Sequence, residues 1–244
     1  MEATPRLSSL YVEPERKADA GEPATLELID VFRIFRSGPV ETVALRGLSL
    51  RVEPREMVAV IGPSGSGKST MLAIAAAMDQ PSAGEVRIQG QSLARLDEPE
   101  LARLRGSEIA VVFQSDNLWP TLTARETVTA CVRLAGLDRN PVEAAEESLA
   151  IFGLEARADH TPDRLSGGEQ QRVAIAAAAA RRPRIVFADE PTGELDAENE
   201  SLVLEALTRM RDTFQSTVVL ITHSAEVAAG CDRVVELADG RVAG

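Results

Sequence analysis

One ten-residue stretch constrains the fold of this chain more than any other feature. The stretch "IGPSGSGKST" (residues 61–70) follows the apolar run "MVAV" and precedes the apolar run "MLAIAAAM". Its three glycines allow the backbone to turn sharply and point several N–H groups to one place, where the following helix adds the positive end of its dipole. The stretch therefore predicts an anion-binding turn between a buried strand and a buried helix of an α/β fold.

The same stretch fits G-x-x-x-x-G-K-[ST], the pattern of a phosphate-binding loop. The candidate nucleotide-binding residues of this loop are Gly62, Pro63, Ser64, Gly65, Ser66, Gly67, Lys68, Ser69 and Thr70. We expect Lys68 to reach the β- and γ-phosphates, Ser69 to offer a hydroxyl to Mg²⁺ and Thr70 to contact the α-phosphate. A glycine-rich turn beside a solvated lysine is the simpler alternative. The position between strand and helix favours the phosphate site.

The acidic composition limits the partners that the chain can have. A formal net charge of -12 over 244 residues repels the phosphates of nucleic acids and of anionic lipids. The longest apolar runs are shorter than the ~20 residues of a transmembrane helix, and the N-terminus lacks a signal-peptide core. We therefore expect a cytoplasmic chain with no nucleic-acid partner and no direct membrane insertion. Cys131 and Cys231 match no metal-ligand spacing and are expected to be reduced.

The order of sequence patterns indicates how the chain is organised. Residues 1–23 are charged and without period, so they are predicted to be a disordered tail, and residues 24–244 to form one domain. Strand-like runs dominate up to "EVRIQG", and helical patterns fill a block at about residues 115–165. From "LSGGEQQ" onward, helices alternate with apolar strands. This alternation predicts βαβ units around a mostly parallel sheet.

Two further motifs add candidate chemistry. Asp189 and Glu190 follow the strand-like run "RIVFA", and the carboxyl ends of parallel strands face the ligand crevice of α/β sheets. Asp189 is therefore placed to hold a metal through water, and Glu190 to polarise an attacking water. The stretch "LSGGEQQRVAIA" puts Ser166, Gly167 and Gly168 at the start of a predicted helix, a second place for an anion. Taken alone, the first motif is more often an ordinary acidic turn and the second a plain helix cap.

Together the motifs resemble one family, the ATP-binding-cassette ATPases. The matching segments, in the family's order, are "GPSGSGKST", Gln114 after "AVVF", "LSGGEQQR", "IVFADEPTGELD" and His223 in "ITHS". The resemblance implies a P-loop NTPase cassette with a mostly parallel core sheet, an N-terminal antiparallel β subdomain and a helical signature subdomain. It also implies that two copies pair head to tail. Each ATP, with Mg²⁺, then lies between the Lys68 loop of one copy and residues Ser166 to Glu169 of the other.

The resemblance assigns roles to three more side chains. Gln114 resembles the residue that touches Mg²⁺ and senses a membrane partner, His223 the residue that contacts the γ-phosphate, and Phe35 the aromatic residue that stacks on adenine. Without this context, Phe35 would be read as core and His223 as structural. The implied catalytic residues are Glu190, His223, Lys68 and Gln114, the implied metal ligands are Ser69, Gln114 and Asp189, and Phe35 and Glu169 join the nucleotide-binding set.

Within the family the chain is similar to the branch of macrolide exporters, lipoprotein-release, cell-division and bacitracin-type ATPases. The implied function is an ATP-hydrolysing subunit at the cytoplasmic face of a membrane, bound there by transmembrane permease subunits. Trp119, in "QSDNLWPTLTARE", is the candidate docking residue, because an exposed apolar cluster suits a partner; a Trp folded back onto the helical block is the alternative. A soluble cassette ATPase acting on nucleic acid or ribosomes is disfavoured by the single acidic cassette, and a regulator without turnover by Glu190 and His223.

Four positions depart from the family pattern, and one of them is Ala177, which stands where Arg is usual. Glu194 stands where Asn is common, Ser224 follows the switch histidine where Asp is common, and Arg55 precedes Glu56 where Gly is usual. The extra carboxylate of Glu194 lies near the expected dimer interface, where like charges raise the cost of closure. The sequence therefore predicts slow ATP hydrolysis that depends on the partner.

Overall fold

The computed structural model describes residues 22–38 and 40–243, so the predicted tail of residues 1–23 lies outside the described residues except at its end. The strands are β1 (Leu26–Ser37), β2 (Val40–Val52), β3 (Met57–Ile61), β4 (Ala83–Ile88), β5 (Gln91–Ser92), β6 (Ile109–Val112), β7 (Ile185–Asp189), β8 (Thr217–Ile221), β9 (Arg233–Ala238) and β10 (Arg241–Val242). The helices are α1 (Lys68–Ala75), α2 (Glu98–Ser107), α3 (Ala124–Leu134), α4 (Pro141–Ile151), α5 (Gly167–Ala179), α6 (Ala197–Phe214) and α7 (Ala225–Ala229).

The larger sheet has the strand order β10-β9-β3-β8-β7-β6, and all its pairings except that of β10 are parallel. Strands β3, β7 and β8 are apolar and almost wholly buried, as expected for parallel strands covered on both faces. Because β8 lies between β3 and β7, the carboxyl ends of these three strands meet at one edge. The phosphate-loop motif, Asp189 and His223 follow those three ends.

The smaller sheet is antiparallel, with the order β2-β1-β4-β5. Its buried face packs with α1 and one face of the larger sheet in a shared core that includes Leu26, Met71 and Phe187. The other face of the larger sheet packs against the helical part of the chain in a second core that includes Val128, Ile175 and Leu207. The mixed architecture predicted from the sequence, with an antiparallel β subdomain and a parallel core sheet, is confirmed.

The helical block begins and ends as local sequence signals predict. Thr123 caps α3 through a reciprocal bond with Glu126, and the helix stops before Gly136, whose φ is 65°. Helix α4 starts with Pro141 in its first turn and stops before Gly153, whose φ is 68°. Among residues 22–38 and 40–243, no helix is both long enough and apolar enough to cross a membrane.

Two local features differ from simple pattern reasoning. Helix α2 is not anticipated by the sequence analysis, because its ten residues bury only Leu101 and its start is set by the Asp97 cap rather than by an apolar stripe. Arg55 has a φ of 63°, in the left-handed region that favours glycine. The glycine usual at this place in the family would avoid that strain, so the departure has a local conformational cost.

Candidate active site

The loop between β3 and α1 has a backbone that only glycine tolerates at two positions. Gly62 has a φ of 150°, and a Cβ there would lie 2.1 Å from the Leu237 carbonyl oxygen. Gly67 has a φ of 103°, and a Cβ there would lie 2.7 Å from the Ala44 carbonyl oxygen. Both contacts are with backbone atoms, and moving these atoms would disrupt the close packing around the loop. The glycines of the motif are therefore required by the turn itself.

Lys68 opens helix α1 and keeps its charge inside the loop. Its side chain is largely buried, with 7% of the residue exposed. The Nζ group donates hydrogen bonds to the carbonyl oxygens of Gly62 at 2.8 Å and Pro63 at 3.0 Å. These bonds hold the ammonium group at the start of α1, where its charge and the positive end of the helix dipole both attract an anion.

The loop has the unsatisfied donors that a phosphate group would use. Helix α1 has no side-chain cap and no acidic residue in its first turn, although the first N–H groups of a helix need partners. The Ser66 hydroxyl is buried and makes no hydrogen bond. Such unpaired donors fit the oxygens of a polyphosphate, and the predicted residues from Gly62 to Thr70 lie together in this turn and the first residues of α1.

The acidic pair predicted from "ADE" lies at the end of β7. Burial, together with the neighbouring charge of Glu190, raises the pKa of Asp189, while the nearby Lys68 and His223 oppose that rise. The four side chains are thus within electrostatic reach of one another. Glu190 has a φ of 49°, and its N–H donates to the Ile221 carbonyl oxygen on β8 at 2.9 Å. The pairing of β7 with β8 therefore fixes the backbone position of Glu190.

His223 follows β8 and meets the acidic pair. Its Nε2 lies 2.7 Å from Glu190 Oε2, and the imidazole is 60% exposed. An exposed donor bound to a mostly buried carboxylate can contact a bound phosphate without losing its own anchor. The structure therefore brings together Lys68, Asp189, Glu190 and His223, which lie up to 155 positions apart in the sequence.

Gln114 lies two residues after β6 on a backbone that the signature helix fixes. The Gln171 side-chain amide, on α5, donates to the Phe113 carbonyl oxygen at 3.0 Å and also to that of Gln114. The Gln114 side chain donates from Nε2 to Glu194 Oε1 at 3.3 Å. Sequence reasoning missed Gln171 and the contact with Glu194; the only available signal was that Gln171 lies inside "LSGGEQQR".

The oxygen atoms available near this point suit magnesium. The hydroxyl of Ser69, the amide oxygen of Gln114 and the carboxylate of Asp189 are the oxygen ligands that Mg²⁺ takes when substrate phosphates and waters complete its shell. Asp189 is held at the strand end and is half-buried. The residues present therefore fit a nucleotide-bound Mg²⁺.

The signature segment forms a pre-organised helix start. Ser166 caps α5 by accepting from the Glu169 N–H at 3.2 Å, and Glu169 in turn accepts from the Ser166 N–H at 2.9 Å. A hydrogen bond from Arg157 and the one from Ser166 hold the pKa of Glu169 below its usual value. Ser166 and Gly167 are exposed. A Cβ at Gly168 would lie 2.2 Å from the Asn199 side chain, so any larger residue at this position would require Asn199 to move.

Phe35 is an exposed ring near the loop. It is 42% exposed, and the Arg33 guanidinium lies 4.6 Å above its centroid. Phe35 pairs with Thr42 on β2, two residues from Ala44, whose carbonyl oxygen approaches Gly67. This exposure contradicts the simple core interpretation and suits stacking on a flat ligand. The adenine contact itself stays a prediction.

The two cysteines lie away from this chemistry. Both are free thiols. Burial raises the pKa of Cys131, and burial together with Asp232 raises the pKa of Cys231 to about 12. Thiols with raised pKa values are poor nucleophiles at neutral pH, which agrees with the structural role expected for them.

The sequence of this chain matches one known protein family. The family model described as "ABC transporter" matches residues 45–193, a range that includes the loop, Gln114, the signature segment and the acidic pair. The chain belongs to the ABC transporter family. Membership in this family of ATPases confirms the resemblance and the fold inferred from the motifs.

Known relatives and solved structures agree with this assignment. The macrolide export ATP-binding/permease protein MacB of Azoarcus sp. is 44% identical over 91% of this chain and 34% of its own length. The lipoprotein-releasing system ATP-binding protein LolD 1 of Rhodospirillum rubrum is 43% identical over 90% of this chain and 97% of its own length. The dimeric structure of the ATP-binding cassette MJ0796, in a post-hydrolysis state bound to ADP and phosphate, superposes with a TM-score of 0.81 at 38% identity over 90% of this chain and 97% of that one. The chain thus spans about a third of the MacB relatives that it matches.

Proposed function

We propose that the chain is the ATP-hydrolysing subunit of a membrane transporter complex and works as a head-to-tail dimer around two ATP molecules. The observation that carries this proposal is the contact of 2.7 Å between Glu190 and His223, at the sheet edge that also holds the Lys68 loop. A nucleotide-binding regulator would not need a carboxylate held by a histidine beside the terminal phosphate. An ATPase does, because the attacking water must be positioned there.

The loop binds the polyphosphate through its backbone N–H groups, the Ser66 hydroxyl and the Lys68 ammonium group. The Lys68 ammonium group donates to two carbonyl oxygens of the loop. Phosphate oxygens are better acceptors than these carbonyls because they are charged. Ser69, Gln114 and Asp189 would hold Mg²⁺, and Phe35 would stack on the base. When bound, Mg²⁺ neutralises charge on the β- and γ-phosphates.

Hydrolysis in this proposal depends on orientation more than on a strong base. Glu190 accepts a hydrogen bond from the attacking water and aligns it with the γ-phosphorus, and His223 holds the carboxylate and contacts the γ-phosphate. Lys68 stabilises the negative charge of the transferring phosphoryl group. The released groups are ADP and phosphate, and the water supplies the new oxygen and the proton.

The second copy supplies the other half of each site. Ser166 and Gly167 are exposed at the start of α5, and the Glu169 side chain is already engaged by Arg157 and Ser166. This helix start therefore offers N–H groups and a hydroxyl to an anion from outside the chain. The structures of MJ0796, a relative at 38% identity, are dimeric, which supports the same arrangement here.

The surface that meets the transmembrane subunits lies on residues 113–119, on either side of Gln114. Trp119 is 44% exposed and Phe113 43% exposed, with Leu118 packed partly against the helical core. An exposed aromatic pair next to a fixed backbone is suited to anchor a partner helix. The Gln171 side chain donates to the carbonyl oxygens of both Phe113 and Gln114. A partner that shifts this segment would therefore also shift Gln114 at the nucleotide site. At the cytoplasmic face of the membrane, the chain would be held only by this partner.

Trp119→Ala is expected to weaken the complex with the membrane partner while leaving ATP binding by the isolated chain unchanged. Loss of an exposed aromatic anchor costs about 2 kcal/mol or more in interfaces, which corresponds to about a thirtyfold weaker association. Co-purification from a detergent extract of membranes measures it. Leu202→Ala, which removes an exposed apolar side chain on α6, is the matched control. Unchanged recovery of the partner with the Trp119 variant would contradict the assignment of this surface.

The isolated chain is expected to hydrolyse ATP slowly, and the membrane partner to raise the rate by about tenfold or more, equivalent to at least about 1.4 kcal/mol. Each site needs a second copy, and Glu194 adds a carboxylate to the exposed turn after Glu190, near the expected dimer interface, where like charges repel. The partner would offset this repulsion by holding two copies together. Steady-state phosphate release with and without the purified partner measures the effect. Rapid turnover by the chain alone, at low concentration, would argue against partner control.

A further inference from the structure

We propose that Glu194 is a positioning residue that sets the orientation of the Gln114 side-chain amide, so that its carbonyl oxygen faces the metal bound with the nucleotide. The inference rests on the metal role of Gln114 proposed above. Its basis is the hydrogen bond of 3.3 Å from Gln114 Nε2 to Glu194 Oε1. The family resemblance gives no role to this carboxylate, because Asn is common at its position.

The two ends of an amide side chain differ in what they can bind. One end of the Gln114 side chain donates hydrogen bonds and the other accepts them, and only the oxygen end can bind a cation. An ionised carboxylate accepts but never donates. Glu194 therefore pairs with the nitrogen end, and the oxygen end is left free on the opposite side. Asn at position 194 could either accept or donate, so it would stabilise both orientations of Gln114.

The contact joins two backbones that are both fixed. On one side, the Gln114 carbonyl oxygen accepts from Gln171. On the other, Gly193 N–H donates to the Glu190 carbonyl oxygen at 3.0 Å and Leu195 N–H to that of Thr192 at 3.0 Å. These bonds make a tight turn directly after Glu190, so the remaining freedom at the contact is rotation of the side chains.

The turn also packs directly on the amide. A Cβ at Gly193 would lie 3.3 Å from Gln114 Nε2 and 3.5 Å from its Cδ, and Thr192 is buried. A hydrogen bond that selects one of two amide orientations can then change metal binding without changing the fold. The nitrogen end, if turned to the metal, would put donor hydrogens against a cation.

Glu194→Ala and Glu194→Gln test this inference, each alone and combined with Gln114→Ala. The measurement is equilibrium binding of trinitrophenyl-ATP during titration with Mg²⁺, and again in excess EDTA. We expect Glu194→Ala to raise the Mg²⁺ concentration at half-saturation by about two- to fivefold, the size of effect that a solvent-exposed charged contact has. Glu194→Gln, which keeps the shape but allows both orientations, should give a smaller rise. Binding in EDTA should not change.

The combined variants distinguish an effect of Glu194 on the orientation of the Gln114 amide from a direct effect of its charge on the metal. Once Gln114 is removed, Glu194→Ala should shift the Mg²⁺ titration no further. A shift of equal size in that background would overturn the inference, because it would mean that the carboxylate acts on the metal directly. Glu198→Gln, an exposed glutamate in the first turn of α6, is the control for the loss of one surface charge and should leave the titration unchanged.

The outcome of Gln114→Ala alone distinguishes this inference from the function on which it rests. If that variant needs more Mg²⁺ but Glu194→Ala does not, the positioning role is wrong and the metal role of Gln114 stands. If Gln114→Ala leaves the titration unchanged, the metal role is wrong and the positioning role falls with it.

Discussion

Glu190→Gln is expected to bind ATP, to accumulate as a dimer and to hydrolyse ATP about 10²- to 10⁴-fold more slowly, the contribution typical of one positioned acid–base group. Glutamine keeps the size of the side chain and can still accept a hydrogen bond from His223, whose Nε2 lies 2.7 Å from Glu190 Oε2. It loses the charge that orients the attacking water. Removing a carboxylate beside the γ-phosphate also lowers repulsion of ATP, so the closed state should persist.

Size-exclusion chromatography with ATP and Mg²⁺, compared with the same run in ADP, measures this outcome directly. The variant should elute as a dimer in ATP and as a monomer in ADP. Glu226→Gln, which removes an exposed carboxylate in the first turn of α7 close to His223, is the control and should behave as the natural chain. A Glu190→Gln protein that remains monomeric in ATP would contradict the head-to-tail scheme, and undiminished hydrolysis would contradict the role of Glu190.

The parts of the site that the sequence predicts are those with short-range causes. The Gly62 and Gly67 conformations follow from their own lack of a side chain, and the turn then carries Lys68 into the helix start. The helix start at Ser166 is equally local, since its capping bond to the Glu169 N–H spans three residues. The alternation of apolar strand-like runs with helical patterns also sufficed to predict the parallel core sheet, because parallel strands need crossover connections.

Contacts between distant segments were not available from one sequence. The bond between Gln114 and Glu194 spans 80 positions, and that between Gln171 and the Gln114 carbonyl spans 57. Neither has a periodic or compositional signature: Gln114 and Glu194 are exposed and look like ordinary surface residues, and nothing in the local pattern marks Gln171 as a buried polar residue. Helix α2 was missed for a related reason: its stability comes from a cap and from packing of Leu101 rather than from an apolar stripe.

The family resemblance predicted the roles of His223 and Phe35. The local sequence pattern alone would indicate a structural role for both residues. The structure supplies a physical ground for both. His223 reaches the acidic pair because β8 lies beside β7 in the sheet. Phe35 lies near the loop because its β2 partner strand brings Ala44 against Gly67. Both placements depend on strand order, which is a property of the whole fold.

Lys68→Ala is expected to lower the affinity for ATP by about thirtyfold or more. The ammonium group is nearly buried in the loop, and loss of one partner from a buried charged pair costs about 2–5 kcal/mol in complexes, which at the lower end is already close to thirtyfold. With no other side-chain cation in residues 61–70, nothing in the loop replaces it. Lys68→Arg should not restore binding, because a planar guanidinium cannot reproduce the contacts of a compact ammonium group.

Titration with a fluorescent ATP analogue measures the loss, and thermal unfolding tests whether the variant is folded. The Gly62 and Pro63 carbonyl oxygens lose their donor in Lys68→Ala, so the free energy of unfolding should fall by about 1–3 kcal/mol, which leaves a folded protein. The other lysine of the chain, Lys17, provides the control: Lys17→Ala should bind ATP as the natural chain does. A folded Lys68→Ala protein with undiminished affinity would mean that the backbone N–H groups alone bind the anion. Charge at the phosphate site would then not explain why lysine occupies position 68.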